Sequence, residues 1–527
     1  MSVVGGSVSQ MSPELWLEIL GYFVPSGAPT TLAIQSSKVE LRPHVLEYRR
    51  TLWAACQVSH QVGACARIRL YQAILIDNCK ELLFVFRTLR TFPELRAIVR
   101  SFSWTGTLPQ SDEDETEFVD LMPSLVAVFA SLPAPVTEED ALLHKFLDAD
   151  NLAEFRAWRL LGVVLAIIPN LTTLFLSLGR LMPGPLYRQY LIDTELGGGG
   201  TAERRESLFR LRQKAYEFLA IGALVTDPVL TSIGYPLLPE LQVLTLDFIS
   251  NHPNLFPSER SSFVIDDLKE LCPQLRYIQT KDSIQPSCPG EPVRSTSMRN
   301  LLIMKQRFIL SHLRHIQAAY PNLTSLRIMV SRFNGHDGTL VDPFQPLAKL
   351  QHLQYLSITT PHDLSWFDSD YPQLPMSQSL RRMESLQHLR IDFMWLAPRN
   401  DPSRLFHISS LLPRSIQSLH LLDYWAISMT STRRDRYPDF ADNMSAAEFL
   451  RLVLENLLQS YSSAGLTSLR EVKLSSREYA KERSRWTGAR RSLNNLIWQF
   501  SQAGISLAVT GLEEARDEED GWWLNLD

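Results

Sequence analysis

"NLTSLRIMV", residues 322–330, decides how the rest of the chain is read. Leu323, Leu326 and Ile328 stand in a Leu-x-x-Leu-x-Leu frame. The last two alternate with Arg327, as residues do along a short strand with one face turned inward. The first leucine turns the chain into that strand. The same frame returns through the chain. It is carried by "NLTTLFLSL" (170–178), "ELQVLTLDF" (240–248), "HLQYLSITT" (352–360), "SLQHLRIDF" (385–393), "SIQSLHLLD" (415–423) and "SLREVKLSS" (468–476), with a weaker copy in "QLRYIQT" (274–280).

Steps between the first apolar residues of successive copies are 70, 34, 48, 30, 33, 30 and 53 residues. Repeats of this kind usually measure about 20 to 29 residues, so these are long and irregular, and the step of 70 has room for a further copy. The intervening segments read as helices that return the chain, as in "SERSSFVIDDLKELCP" and "MRNLLIMKQRFILSHLRHIQAAYP". No single unit can bury its apolar face, so neighbours must stack. The pattern predicts an α/β solenoid of helix-strand repeats with a parallel sheet on its concave side. The alternative is a conventional α/β domain with a parallel sheet. "RRSLNNLIWQFSQAGISLAVTGL" then reads as a closing helix and strand. The acidic tail carries adjacent Trp522 and Trp523, expected to dock on the last repeat because exposed paired tryptophan is costly.

Composition sets wider bounds. The 527 residues are 45% hydrophobic and 21% charged, with a formal charge of −5. That is ordinary globular composition, and nothing global favours nucleic acid. Five cysteines, never spaced as Cys-x-x-Cys, fit free thiols in a reducing compartment and offer no zinc site. No basic residue precedes Lys38, and the best apolar run, "LLGVVLAII", is far shorter than the ~20 residues of a membrane span. A cytoplasmic or nuclear location without membrane association is expected.

No enzyme motif appears: there is no Gly-x-Ser-x-Gly, no His-Glu-x-x-His and no dinucleotide glycine fingerprint. "GGGG" (197–200) lacks the lysine and hydroxyl residue of a phosphate-binding loop. His312 and His315, three apart on an expected helix, read as structural or surface residues. So do Cys56 and Cys65, as small core residues. No catalytic residue, cofactor or metal ligand is expected. Two basic stretches, 431–440 and 475–491, are candidates for a ligand patch beside the late repeats, although an insertion loop and a solvated helix explain them as well.

The amino-terminal segment "MSPELWLEILGYFV" (11–24) reads as a short helix. Ser12 can cap it and Pro13 suits its first turn. Its apolar arc, built on Leu15, Trp16, Ile19, Leu20, Tyr22 and Phe23, is wider than one face on one core requires. Residues 25–50 read as an interrupting loop, and apolar spacing resumes over 51–76. A further helix, stopped before Pro93, and a strand near 98–104 follow.

These two amino-terminal pieces together resemble the F-box, a bundle of about three helices. The first half of that motif reads Leu-Pro-x-Glu, two apolar residues, then apolar-x-Ile-Leu. Here Pro13, Glu14, Leu15, Trp16, Leu17, Ile19 and Leu20 stand in that frame, with the proline displaced by one position. In the second half Leu52, Cys56, Val58, Ser59, Leu70 and Tyr71 match, while His60 replaces a basic residue and Val62 an aromatic one. Val99, Arg100 and Ser101 match a segment that precedes leucine-rich repeats in many fungal F-box proteins. The resemblance implies a substrate-recognition subunit of an SCF-type cullin-RING ubiquitin ligase. Pro13, Glu14, Leu15, Leu17, Ile19, Leu20, Leu52, Val58 and Ser59 would contact the Skp-type adaptor, which would cover the surplus apolar arc. The leucine-rich repeats would bind an unidentified target protein. The alternative is a leucine-rich-repeat interaction scaffold acting outside the ligase. The expected organisation is a helical domain over 1–76, a helical connecting segment with an acidic loop over 77–160, repeats over 161–510 and the tail over 511–527.

Overall fold

In the computed structural model, the described residues are 11–21, 42–76, 78–104, 161, 164–165, 167–177, 238–247, 272–281, 294–308, 310–333, 345–359, 378–396, 402–423, 446–476 and 487–511. The chain divides into two compact units, Met1–Lys281 and Asp282–Asp527.

Among the described residues, the first unit opens with helices α1 (Pro13–Gly21), α2 (Arg42–Ala55) and α3 (His60–Gln72). Their ends follow from side-chain chemistry. The Ser12 hydroxyl accepts from the Leu15 amide at 3.3 Å, and the Ser59 hydroxyl caps α3 by accepting from Val62 N at 3.2 Å. Leu20, Tyr48, Leu52, Cys65 and Ala66 form the bundle core, with Trp16, Leu17, Ala55, Cys56 and Leu70 packed around it. α1 runs alongside α3 in the same direction. The Gln61 amide donates to Met11 O at 2.7 Å at one end, and the Arg69 guanidinium donates twice to Leu17 O, at 2.8 and 3.1 Å, at the other. A cation beside the last turn of α1 is the electrostatically favoured arrangement.

Residues 73–76, which the spacing placed at the end of the helical region, leave α3 as strand β1 (Ala73–Ile76). Helix α4 (Cys79–Thr91) follows, capped by Asn78, whose Oδ1 accepts from Glu81 N at 2.8 Å. Then come β2 (Ser101–Trp104), β3 (Thr173–Ser177), β4 (Val243–Asp247) and β5 (Tyr277–Lys281). All neighbours pair in parallel and in chain order. Because β3 pairs directly with β4, the 70-residue step inserts no strand between them.

The second unit holds β6 (Asn300–Phe308), helix α5 (Leu310–Ala319), β7 (Ser325–Phe333), β8 (Tyr355–Thr359), helix α6 (Gln378–Arg381), β9 (His388–Asp392) and β10 (Ser418–Asp423). Helix α7 (Ala446–Ser460), β11 (Glu471–Ser476), helix α8 (Thr487–Gln502) and β12 (Ser506–Thr510) complete it. These strands also pair in parallel and in chain order. The α/β expectation holds: amino-terminal helices precede parallel strands with interspersed helices, a leucine-rich-repeat type of arrangement.

One closing device recurs in both units. The first apolar residue of the frame donates its amide three residues back, as Leu323 does to Tyr320 O and Leu353 to Leu350 O, each at 3.2 Å. Over the next two residues, a single carbonyl of the preceding repeat accepts two successive amides. Thr324 O takes those of Gln354 and Tyr355 at 2.8 and 3.0 Å. Gln354 O takes those of Gln387 and His388 at 2.8 and 2.9 Å. Arg100, Thr172 and Gln242 repeat this in the first unit, and Arg299, Gln387 and Gln417 in the second. The turn satisfies its backbone against its neighbour, which is why units stack in one register. The following pair of apolar side chains then falls inward. Leu326, Leu356, Leu389, Leu419 and Val472 align in one buried row, with Ile328, Ile358, Ile391, Leu421 and Leu474 in the next.

Two segments correct the sequence reading. "MRNLLIMKQRFIL" was expected as part of a helix, but residues 300–308 are strand β6 and only the residues after them are helical. Met298, Leu301 and Ile303 are a further copy of the frame, with Met298 in the first position, so the step of 48 divides into 23 and 25. Residues 42–50, expected within the loop 25–50, belong to α2. Pro43 sits in its first turn, where a missing N–H breaks no helical bond. The expected helix at 201–220, residues 258–271 of the one expected at 258–273, and the tail tryptophans lie outside the described residues.

Candidate functional site

The helical bundle and the polar face of the second unit each offer surface chemistry. In the bundle, Leu20 and Leu52 of the expected adaptor set are buried inside, and Leu17 and Ile19 are half-buried. Pro13, Glu14 and Ser59 are exposed. Ser59 spends its hydroxyl on capping α3, and Glu14 lies in the first turn of α1, where its carboxyl is held below the usual range by its own backbone amide and by Ser12. Leu15 is 42% exposed and Val58 69% exposed, with Trp53 and Ile68 also open to solvent. Gln61 reaches Met11, so the turn carrying Val58 stands at the same end of the bundle as the first turn of α1. The wide arc of α1 is therefore divided. Trp16, Leu17 and Leu20 face the core, and Leu15 faces out.

Gly63 makes this packing close. A Cβ there would stand 2.7 Å from Cys56 O, so α3 touches the backbone of the preceding turn directly. Tyr48 is buried beneath, and burial pushes its phenol up to about 12 against the opposing pull of Arg69 and Arg49. Cys56 is half-buried and its thiol is raised by burial, while Cys272 is buried and pushed up to about 12. Neither has the depressed pKa of a reactive thiolate.

On β7 to β11 the residues between and beside the inward pairs project to the opposite face. Register aligns Arg327, Ser357, Arg390, His420 and Lys473 in one row across five neighbouring strands. One row back stand Ser325, Tyr355, His388, Ser418 and Glu471, and one row on are Thr359 and Asp392. The rings of Tyr355 and His388 lie 6.3 Å apart, and Ser418 Oγ donates to Glu471 at 2.8 Å. His420 Nε2 meets Ser475 Oγ at 2.8 Å, and Ser475 in turn meets Thr510 at 2.9 Å. Burial, with the neighbouring Arg390 and Lys473 cations, drives the His420 imidazole down to about 2, so it is neutral. The hydroxyls of Ser325, Ser357 and Thr359 are buried and make no hydrogen bond within the chain. Each such orphan costs on the order of 1–3 kcal/mol.

Sequence reasoning missed this face. It looked for basic runs, at 431–440 and 475–491, and most of those residues lie outside the described set. The available signal was the residue between the last two apolar positions of each frame, which is Arg, Ser, Arg, His and Lys in five successive copies. Among the described residues no cluster of His, Cys, Asp or Glu could hold a metal ion, and no helix is long and apolar enough to cross a membrane. His315 is half-buried on α5.

No protein-family model matches the chain, and no curated protein matches it. Among solved structures, a protein of Bacteroides fragilis is similar over 75% of this chain and 82% of its own, at 11% identity and a TM-score of 0.28. A likeness that low carries no argument.

Proposed function

We propose that this chain is a recruiting subunit. Its amino-terminal bundle would bind a Skp-type adaptor of a cullin-RING ubiquitin ligase, and its repeats would bind a target protein. The observation that carries the reading is the exposure of Leu15 and Val58 at one end of a bundle whose interior is already filled. Apolar side chains held out on a packed scaffold, beside Trp53, are what a protein partner covers. The chain would act by tethering. Holding the target near a ubiquitin-loaded enzyme raises their effective concentration, and the chain itself makes and breaks no bond.

The test is binding of the purified full chain to a Skp-type adaptor, beside a Leu15→Asp, Val58→Asp double variant. Both side chains lie outside the core, so the variant keeps its fold, checked by circular dichroism. Tight wild-type binding lost in the variant is the expected result. A folded wild-type chain that does not bind would overturn the ligase reading. The chain would then be a repeat scaffold acting outside the ligase, a second reading favoured by His60 and Val62 standing where the F-box carries a basic and an aromatic residue.

A further inference from the structure

We infer that the face of β7, β8 and β9 holds a subsite for a dianionic phosphoryl group, centred on Ser357 between Arg327 and Arg390. The inference is independent of adaptor binding. Register places Arg327 on β7 and Arg390 on β9 directly either side of Ser357 on β8, at the spacing of about 4.8 Å per strand. Ser357 has the shortest side chain of that row and is flanked by the two long arginine side chains. Its hydroxyl is fully buried and has no hydrogen-bond partner in the chain. Thr359, two residues along the same face, is in the same condition, as is Ser325 one row back on β7. Three buried hydroxyls left without partners on one patch of three strands are not a packing accident of a single residue. Native interiors rarely leave such groups unmatched, and those that are left need an explanation.

The chemistry of the patch selects the ligand. Arg327 and Arg390 are 7% and 8% exposed. Guanidinium groups offer several donors in a planar fork suited to oxyanions. The hydroxyls add further donors. Asp392, also buried, adds a carboxyl group on β9, and Lys473 an amino group two strands further on. Glu471 is engaged by Ser418, and His420 is held neutral chiefly by its burial, with Arg390 and Lys473 adding to the same effect. A carboxylate brings one charge and two oxygens. A phosphoryl group brings close to two charges and three acceptor oxygens, and matches two guanidiniums with surrounding hydroxyls better.

The experiment uses the full chain. Inorganic phosphate is titrated calorimetrically against a chloride control of equal ionic strength, for wild type, Ser357→Ala, Arg390→Gln and, as a remote control, Arg451→Gln on α7. Phosphate binding weakened about tenfold in Ser357→Ala and Arg390→Gln, and unchanged in Arg451→Gln, is expected. Ser357→Ala removes an orphaned buried hydroxyl and is safe for folding, so it decides the matter even if Arg390→Gln does not fold. No phosphate binding by wild type overturns the inference. So does binding that Ser357→Ala leaves intact. A parallel screen of matched phosphoserine and serine peptides identifies the source. Enrichment of the phosphoserine set, competed by inorganic phosphate, places the group on a protein. Phosphate binding without enrichment makes it a free phosphoanion.

Discussion

Replacing Gly63 by alanine sets two effects against each other, and the structure says which wins. Within a helix, glycine to alanine is normally stabilising by about 1 kcal/mol, because alanine loses less backbone entropy. Gly63 lies in the second turn of α3 and its amide bonds Ser59 O at 2.7 Å, so this gain applies. The added Cβ, however, would meet Cys56 O at 2.7 Å and Cys56 C at 3.4 Å. The first distance must open by about 0.7 Å to reach ordinary van der Waals separation. Neither side yields easily, because the obstacle is backbone. Cys56 N is bonded to Leu52 O at 3.0 Å and Val58 N to Ala55 O at 3.2 Å, which fixes the turn to α2. Overpacking of this kind costs about 1–3 kcal/mol, and a backbone obstacle belongs at the upper end. After the propensity gain the net loss is about 2 kcal/mol. Hydrogen exchange of the amides over residues 60–72 reads it locally, as protection lowered by roughly thirtyfold. Unchanged or increased protection in Gly63→Ala would refute the close-contact argument.

Three further changes probe other parts of the chain. Leu356→Ala empties a fully buried position between Leu326 and Leu389, and should cost about 2–5 kcal/mol in denaturant unfolding of the second unit. Asn78→Ala removes the cap of α4 and should lower its stability by about 1 kcal/mol, seen as faster exchange over residues 79–91. His420 is neutral when folded, with its pKa near 2, whereas unfolded it takes a proton near the usual 6.5. Protons therefore favour the unfolded chain as pH falls below about 6.5, and stability is full above that value and declines toward pH 2. His420→Gln, which can still bond Ser475, should flatten the acid side of the stability profile. An unchanged acid limb would show that this histidine is not buried in its neutral form.

Much of the fold was legible because the frame states both halves of the physics. Leucine at the turn marks where one unit closes on the next, and the alternating pair that follows marks the strand. Reading failed where one half was blurred. In "SMRNLLIMKQRF" the first position is Met298 and the strand has consecutive apolar residues, which periodicity alone does not separate from a buried helix. "AILI" follows α3 with neither glycine nor proline between them, so nothing in the sequence announces that Ala73 already has extended backbone. Pro43 read as a loop residue because proline breaks helix interiors, yet it stands in a first turn. The polar face was invisible for another reason. Arg327 and Arg390 are 63 positions apart, and only strand pairing brings them either side of Ser357.

The irregular spacing of the frame is itself explicable by magnitude. First apolar positions are separated by as few as 23 residues and as many as 70, yet the strands keep one register within each unit. Closing a loop costs only about 0.6 kcal/mol more for each doubling of its length, so lengthening an interval from 30 residues to 70 costs roughly 0.7 kcal/mol. Each strand from β7 to β11 buries at least two apolar side chains, and each of those contributes about 1.5–3 kcal/mol. The closing turn adds paired backbone hydrogen bonds to the neighbouring unit. Burial and the turn therefore outweigh interval length by several-fold, and long insertions can accumulate between units without shifting the register of the strands. It follows that spacing is a poor guide to what this chain recognises. The residues that must stay aligned are those in the register rows, and Arg327, Ser357 and Arg390 occupy such a row.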